Sequence, residues 1–172
     1  MAHDRGHVER VARIAKYIAE REGGDIEVVL KSAELHDVAR FAENHAFESA
    51  KVAEKLLREQ GYGEEFVRSV KHAIESHSFS SKVEPKTLEA KILSDADKID
   101  AMGAIGIARA FMFSGERRRS IEETLRHFEE KLLKLKDCLH TETAKKIAEK
   151  RHEFLKKFYE QLKKELTFED LQ

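Results

Sequence analysis

The chain is poor in everything that interrupts a helix: one proline and eight glycines stand among 172 residues. An all-β fold needs many Gly- and Pro-rich turns, so that class is excluded, along with collagen-like and disordered chains. A single cysteine, Cys138, excludes a disulfide framework and any cysteine-based zinc cluster, and it suits a reducing compartment. No secretory signal stands at the N-terminus. The longest apolar-rich run, 99–113, contains Asp100 and Arg109 and is too short to span a bilayer. A cytoplasmic location away from membranes is the expectation. Charge of one sign is lacking too. The 32 Lys/Arg and 33 Asp/Glu leave a net −1, so no global field attracts nucleic acid or a membrane surface. Asn44 is the only asparagine and glutamine occurs only at Gln60, Gln161 and Gln172, amid abundant Lys, Arg and Glu. That composition leans toward a thermophile protein.

What is present is helical periodicity. Val8, Val11, Ala12, Ala15, Ile18 and Ala19 make one stripe, closed by Gly23-Gly24. A second helix is expected from Ile26 to Val38, with Val29, Leu30, Ala33 and Val38 inward, a third over 44–60 and a fourth over 64–76. Ser78, Ser80, Ser81 and Pro85 mark a loop, and Pro85 suits the first position of a fifth helix that continues to Phe113. Gly103, Ala104, Gly106, Ala108 and Ala110 fit close helix packing, or a break that leaves room for a ligand. Ile121, Leu125, Phe128, Leu132, Leu135 and Leu139 then form a heptad seam, and 144–166 is a long amphipathic helix. Residues 117–166 hold 15 Lys/Arg and 10 Asp/Glu, read as a solvated face rather than a polyanion strip. The fold expected is all-α: a helical bundle over 1–116 with a C-terminal long helical hairpin over 117–172 packing on it. The seam closes within the chain, or with a second chain in a homodimer.

Six of the nine histidines fall within the first 77 residues. Imidazole is the commonest metal-binding side chain and carboxylates suit hard divalent ions. His36-Asp37 ends an apolar helix, where both groups reach one ion and would be costly if buried without one. His7, His36, Asp37 and Asp97 each lie beside core positions. Together they form a two-His, two-Asp set from three helices that leaves coordination open to water and substrate.

This pattern resembles the HD superfamily of metal-dependent phosphohydrolases, whose members carry H…HD…D on an all-α bundle. The stretches His3-Asp4-x-x-His7-x-x-Arg10-Val11, Ala73 to Ser80, Pro85 to Asp97 and Ala101 to Arg109 look like one bacterial and archaeal branch of it, over about residues 3–113. The resemblance implies a divalent ion on His7, His36, Asp37 and Asp97, with Mn, Mg, Co, Ni, Zn and Fe not distinguished. It implies hydrolysis of a small phosphate ester, such as a nucleotide, by metal-activated water. Release of pyrophosphate from nucleoside triphosphates is the sharpest version. Arg40 and Lys98 are the candidate cations for developing charge. His45 and His77 match positions that hold a second metal or touch phosphate in some relatives. His72 is expected in a supporting or surface role, and His127, His140 and His152 in solvent. A phosphomonoesterase, a nucleotide-binding module without turnover, and oxygen chemistry at a di-iron site remain as alternatives.

Overall fold

The computed structural model describes residues 5–81 and 83–171, so His3 and Asp4 lie outside the described residues. It is all-α. The helices are α1 (Arg5–Glu22), α2 (Ile26–Leu35), α3 (His45–Glu59), α4 (Glu64–Ser76), α5 (Leu88–Asp100), α6 (Gly103–Glu116), α7 (Ile121–Glu130) and α8 (Glu142–Thr167). A 3₁₀ segment covers Leu132–Cys138 and a short one Glu169–Leu171.

Small residues on facing stripes let these helices approach closely. Helix α1 packs on α2 and α3 on α4, and Val11, Ala15 and Ile18 of α1, Val29 and Ala33 of α2, Ala50, Ala53 and Leu57 of α3 and Val67, Val70 and Ile74 of α4 are all buried in one core. Val38, expected inward, is instead 48% exposed, because α2 stops at Leu35 and the chain turns away.

Helix α5 is the axis. It packs against α1, α2, α4, α6 and α8, and nine of its residues are buried, on every side. A helix enclosed all round must find partners inside for its polar residues. Asp95 accepts hydrogen bonds from the His140 and Thr141 backbone N–H and from Thr141 Oγ1, at 2.8–2.9 Å, and so fixes the entry to α8. Asp100 binds α1 and α6, and Asp97 faces a cavity.

Three expected boundaries shift. Pro85 is buried but does not start α5, because the Thr87 side chain caps Ala90 N–H and sets the start at Leu88. The continuous helix to Phe113 is broken at Ala101–Met102: Gly103 takes φ +68°, and a Cβ on Gly106 would stand 2.2 Å from the Ala101 carbonyl oxygen. A break is thus present at these small residues, and Gly103 lies close to Arg151 of α8 while Gly106 lies against the Ala101 turn. The heptad seam is buried from Leu125 to Leu139, yet its helix stops at Glu130 and continues as 3₁₀. The first arm of the expected hairpin is therefore two short pieces. The seam closes inside the chain, with the Phe128 ring stacked against Phe158 and Tyr159. Among the described residues no helix is long and apolar enough to cross a membrane.

Candidate metal centre and its cavity

Five helix ends or faces converge on one point. His7 comes from the first turns of α1, and His36 and Asp37 from the turn that ends α2. His45 opens α3, His77 follows α4, and Asp97 is on α5. The rings pack edge to face, with centroids 5.2 Å apart for His7 and His36, 5.1 Å for His36 and His77, and 5.6 Å for His45 and His77.

Hydrogen bonds fix which nitrogens point inward. His36 Nδ1 donates to the Ala33 carbonyl at 2.7 Å and His77 Nδ1 to the Ile74 carbonyl at 2.6 Å. His7 Nδ1 donates to Asp100 Oδ2 at 2.8 Å. Each neutral ring therefore turns an Nε2 lone pair to the interior. His7 Nε2 and His36 Nε2 stand 3.2 Å apart, a repulsive pairing unless a cation or proton lies between them. His7 Nε2 is 3.6 Å from both Asp37 Oδ2 and Asp97 Oδ1, and His36 Nε2 is 3.8 Å from Asp37 Oδ2. Two donors at about 2.1 Å from one ion stand about 3.0–3.4 Å apart at common coordination angles, so the residues present fit a divalent metal.

His7, His36 and Asp37 form the tighter set, and Asp37, His45 and His77 a second one that shares the aspartate. Asp97 joins at the edge through His7. In the second set Arg40 donates to His45 Nε2 at 3.0 Å and approaches Asp37 Oδ1 at 3.6 Å.

Burial disfavours the imidazolium of His7, but its hydrogen bond to Asp100 and the nearby carboxylates of Asp37 and Asp97 outweigh that and raise its pKa. His77, fully enclosed and beside His36, is pushed down to about 4 and stays neutral at physiological pH. Burial favours the protonated form of Asp97, yet the histidines around it hold its pKa well below the usual carboxylate range.

A cavity of about 180 Å³ opens beside these groups. His45, Asp97 and Arg40 line it. Arg109 and Lys131 line its flank, and Ala110, Phe113 and Leu132 its apolar wall. Lys98 is not brought here. Its Nζ donates to the Ser94 carbonyl and Oγ, it is 5% exposed, and it lines a separate cavity with Cys138 and His140. His127, expected in solvent, is half-buried on the wall of the site cavity, and His72 Nε2 accepts the Lys86 N–H at 3.0 Å.

Two groups escaped the sequence reading. Asp100 orients His7 and binds Arg10 and Arg109. Its signal was available, since Asp97/Asp100 on α5 and His7/Arg10 on α1 are both (i, i+3) pairs, each on one helix face. Lys131 gave none, because it sits in a run of mixed charge that reads as solvated.

The HD domain family model matches residues 5–102. YpgQ of Bacillus subtilis is 38% identical over 174 residues, which cover 95% of this chain and 84% of that protein. Its crystal structure in complex with ADP superposes with a TM-score of 0.81 at 37% identity, over 95% of this chain and 90% of that one. The structure of an HD-superfamily hydrolase from Bacillus thuringiensis gives 0.75 at 37% identity, over 96% and 87%.

Proposed function

The chain belongs to the HD domain family, and from that premise we propose that it is a divalent-metal-dependent phosphohydrolase acting on a nucleotide. The observation that carries the proposal is the inward Nε2 pair of His7 and His36, 3.2 Å apart and flanked by Asp37 and Asp97, at the head of a cavity with cationic walls. His7, His36, Asp37 and Asp97 are the metal ligands. When bound, the ion supplies an activated water and polarises a phosphoryl oxygen.

The chain's own residues do the rest. Asp100 holds the His7 tautomer and orientation, acting through that ring. The planar guanidinium of Arg40 lies beside Asp37 and His45, placed to take two phosphate oxygens. His77 stays neutral and presents a lone pair, suited to a second ion or to accepting a proton from water. Lys98, committed to Ser94, has no part in this reading. ADP in the complex of Bacillus subtilis YpgQ supports a nucleotide as the ligand class. Cleavage of a triphosphate to release pyrophosphate is the version we favour over removal of a terminal phosphate.

The test is turnover of nucleotides by protein stripped of metal and reloaded with Mn²⁺, Mg²⁺, Co²⁺ or Ni²⁺, scoring phosphate and pyrophosphate separately. Metal-dependent release that Asp37→Ala abolishes is the expected result. Absence of release with every metal, at temperatures up to the melting point, would overturn the hydrolase reading.

A further inference from the structure

Lys131 lies outside the residues matched by the family model, yet the fold delivers it to the metal centre's cavity. The delivery is built. Helix α7 buries Thr124, Leu125 and Phe128, and the following 3₁₀ segment buries Leu132 and Leu135. Between them Lys131 takes φ −130° and ψ −63°, its N–H donating to the His127 carbonyl. Phe128 and Leu132 are core residues on either side, so the direction of the intervening side chain is set by packing rather than by solvent.

The charge around it is unbalanced. Among the described residues Lys131 has no carboxylate within 4 Å, and its ammonium has only the Phe79 ring, 5.7 Å away. Burial lowers its pKa, with Asp97 and Asp37 opposing and Arg40 and Arg109 adding to the effect, so it shares the field of the metal-centre carboxylates. Arg40 and Arg109, in contrast, are tied to Asp37 and Asp100. Burying a lysine with no ion pair beside two guanidinia, a cost that Asp97 and Asp37 do not fully offset, is unfavourable and is relieved when an anion joins them. Here that anion would lie between the metal ligands and the apolar wall made by Ala110, Phe113 and Leu132.

We propose that Lys131 is a substrate-binding residue, holding the part of a nucleotide's phosphate chain that lies beyond the metal centre, with Arg109 flanking it and the nucleoside against the α6 wall. This rests on the nucleotide-hydrolase reading and adds that the C-terminal segment completes the site. It also gives the interior half of that basic segment a ligand, where Lys134, exposed one turn on, has none.

The experiment is equilibrium binding of ADP and of inorganic tripolyphosphate to the Mn²⁺-loaded full-length protein and to Lys131→Met, Lys131→Arg and Lys134→Met. Metal content and melting temperature are measured on each. Lys131→Met should bind both probes about ten- to a hundredfold more weakly, the scale of a lost charge-assisted hydrogen bond, with metal content unchanged. Lys131→Arg should recover most of the affinity, and Lys134→Met should match the parent. Equal weakening by Lys134→Met would reduce the effect to general charge and overturn the proposal, as would parent-like binding by Lys131→Met. If the parent binds neither probe, the role of Lys131 and the nucleotide reading both fall. Binding that depends on Lys131, in a protein that turns over no nucleotide, would keep the phosphate-binding role of Lys131 and remove the hydrolase.

Discussion

Replacing Asp100 by asparagine tests the link between the core and the metal centre. The side chain is 1% exposed and accepts from His7 Nδ1 at 2.8 Å, Arg10 Nε at 2.7 Å and its terminal nitrogen at 3.1 Å, and Arg109 at 2.7 Å. Asparagine keeps the shape but turns one acceptor into a donor and removes the counter-charge of two guanidinia. Breaking a buried pair costs about 3–5 kcal/mol. Arg10 is 35% exposed, so water screens its share and the low end applies. A loss of about 3 kcal/mol lowers the melting temperature of a chain this long by about 6–12 °C. The second effect is specific. Without a carboxylate to receive the Nδ1 proton, His7 can carry its proton on Nε2, and metal affinity should fall about 10- to 100-fold. Arg10→Met separates the two effects, because it destabilises the protein but leaves the tautomer in place. Calorimetric titration of Mn²⁺ into parent and variants is the assay. Parent-like metal affinity in Asp100→Asn would refute the orienting role. The sign with pH follows from the pKa of Asp100, which burial raises but its partners pull lower overall. The metal-free stability gap between parent and Asp100→Asn should be full above about pH 4 and shrink as acid titrates the folded carboxylate.

Gly106→Ala should lower the unfolding free energy by about 1–3 kcal/mol or more, and the urea midpoint with it, since the new Cβ meets the Ala101 backbone and nothing there can swing aside; an unchanged midpoint would mean the turn at Ala101 is not tight. Asp95→Asn removes an acceptor from the α8 entry, and hydrogen exchange over 140–150 should accelerate about tenfold or more while exchange in α3 and α4 changes less. Stripping the metal with a chelator should lower the melting temperature, because the ion joining the facing Nε2 atoms of His7 and His36 to the carboxylates is then lost. Restoring Mn²⁺ at about 100 times its Kd should return about 2.7 kcal/mol. A melt indifferent to metal would count against the ligand assignment.

The residues that could be read from the chain are those whose chemistry conflicts with their surroundings. His7, His36, Asp37 and Asp97 stand out because they interrupt apolar helical faces, where an uncompensated polar group is expensive. The structure brings all four to one centre. Lys98 shows the opposite error. Adjacency to Asp97 suggested a shared site, but neighbours on a helix point about 100° apart, and Lys98 faces Ser94 instead. In the seam, hydrophobic spacing identified the buried face correctly through Leu125, Phe128, Leu132 and Leu135. It did not identify the helix type, because Leu132 and Leu135 at (i, i+3) suit a 3₁₀ turn as well as an α-helix. That ambiguity hid Lys131, whose direction is decided by the break at residue 131.

The same geometry argues that residues 1–116 do not stand alone. Asp95 receives all three of its hydrogen bonds from His140 and Thr141, and Arg151 of α8 donates to the Ile99 carbonyl at 2.8 Å. Thr143 N–H is accepted by Glu22 of α1 at 2.7 Å. Ending the chain at Glu116 would take three hydrogen bonds from the Asp95 carboxylate of the central helix, a loss of about 2–4 kcal/mol, and would uncover the α6 face that meets α8. A domain of this size holds about 5–15 kcal/mol in total, so the two losses together consume most of its margin. The 1–116 fragment should therefore lack a cooperative melt and bind a hydrophobic dye, where the full chain does neither. A sharp transition near that of the full chain would show instead that α5 tolerates an exposed Asp95 face. The C-terminal helices would then be a cover for the metal centre rather than part of what holds it together.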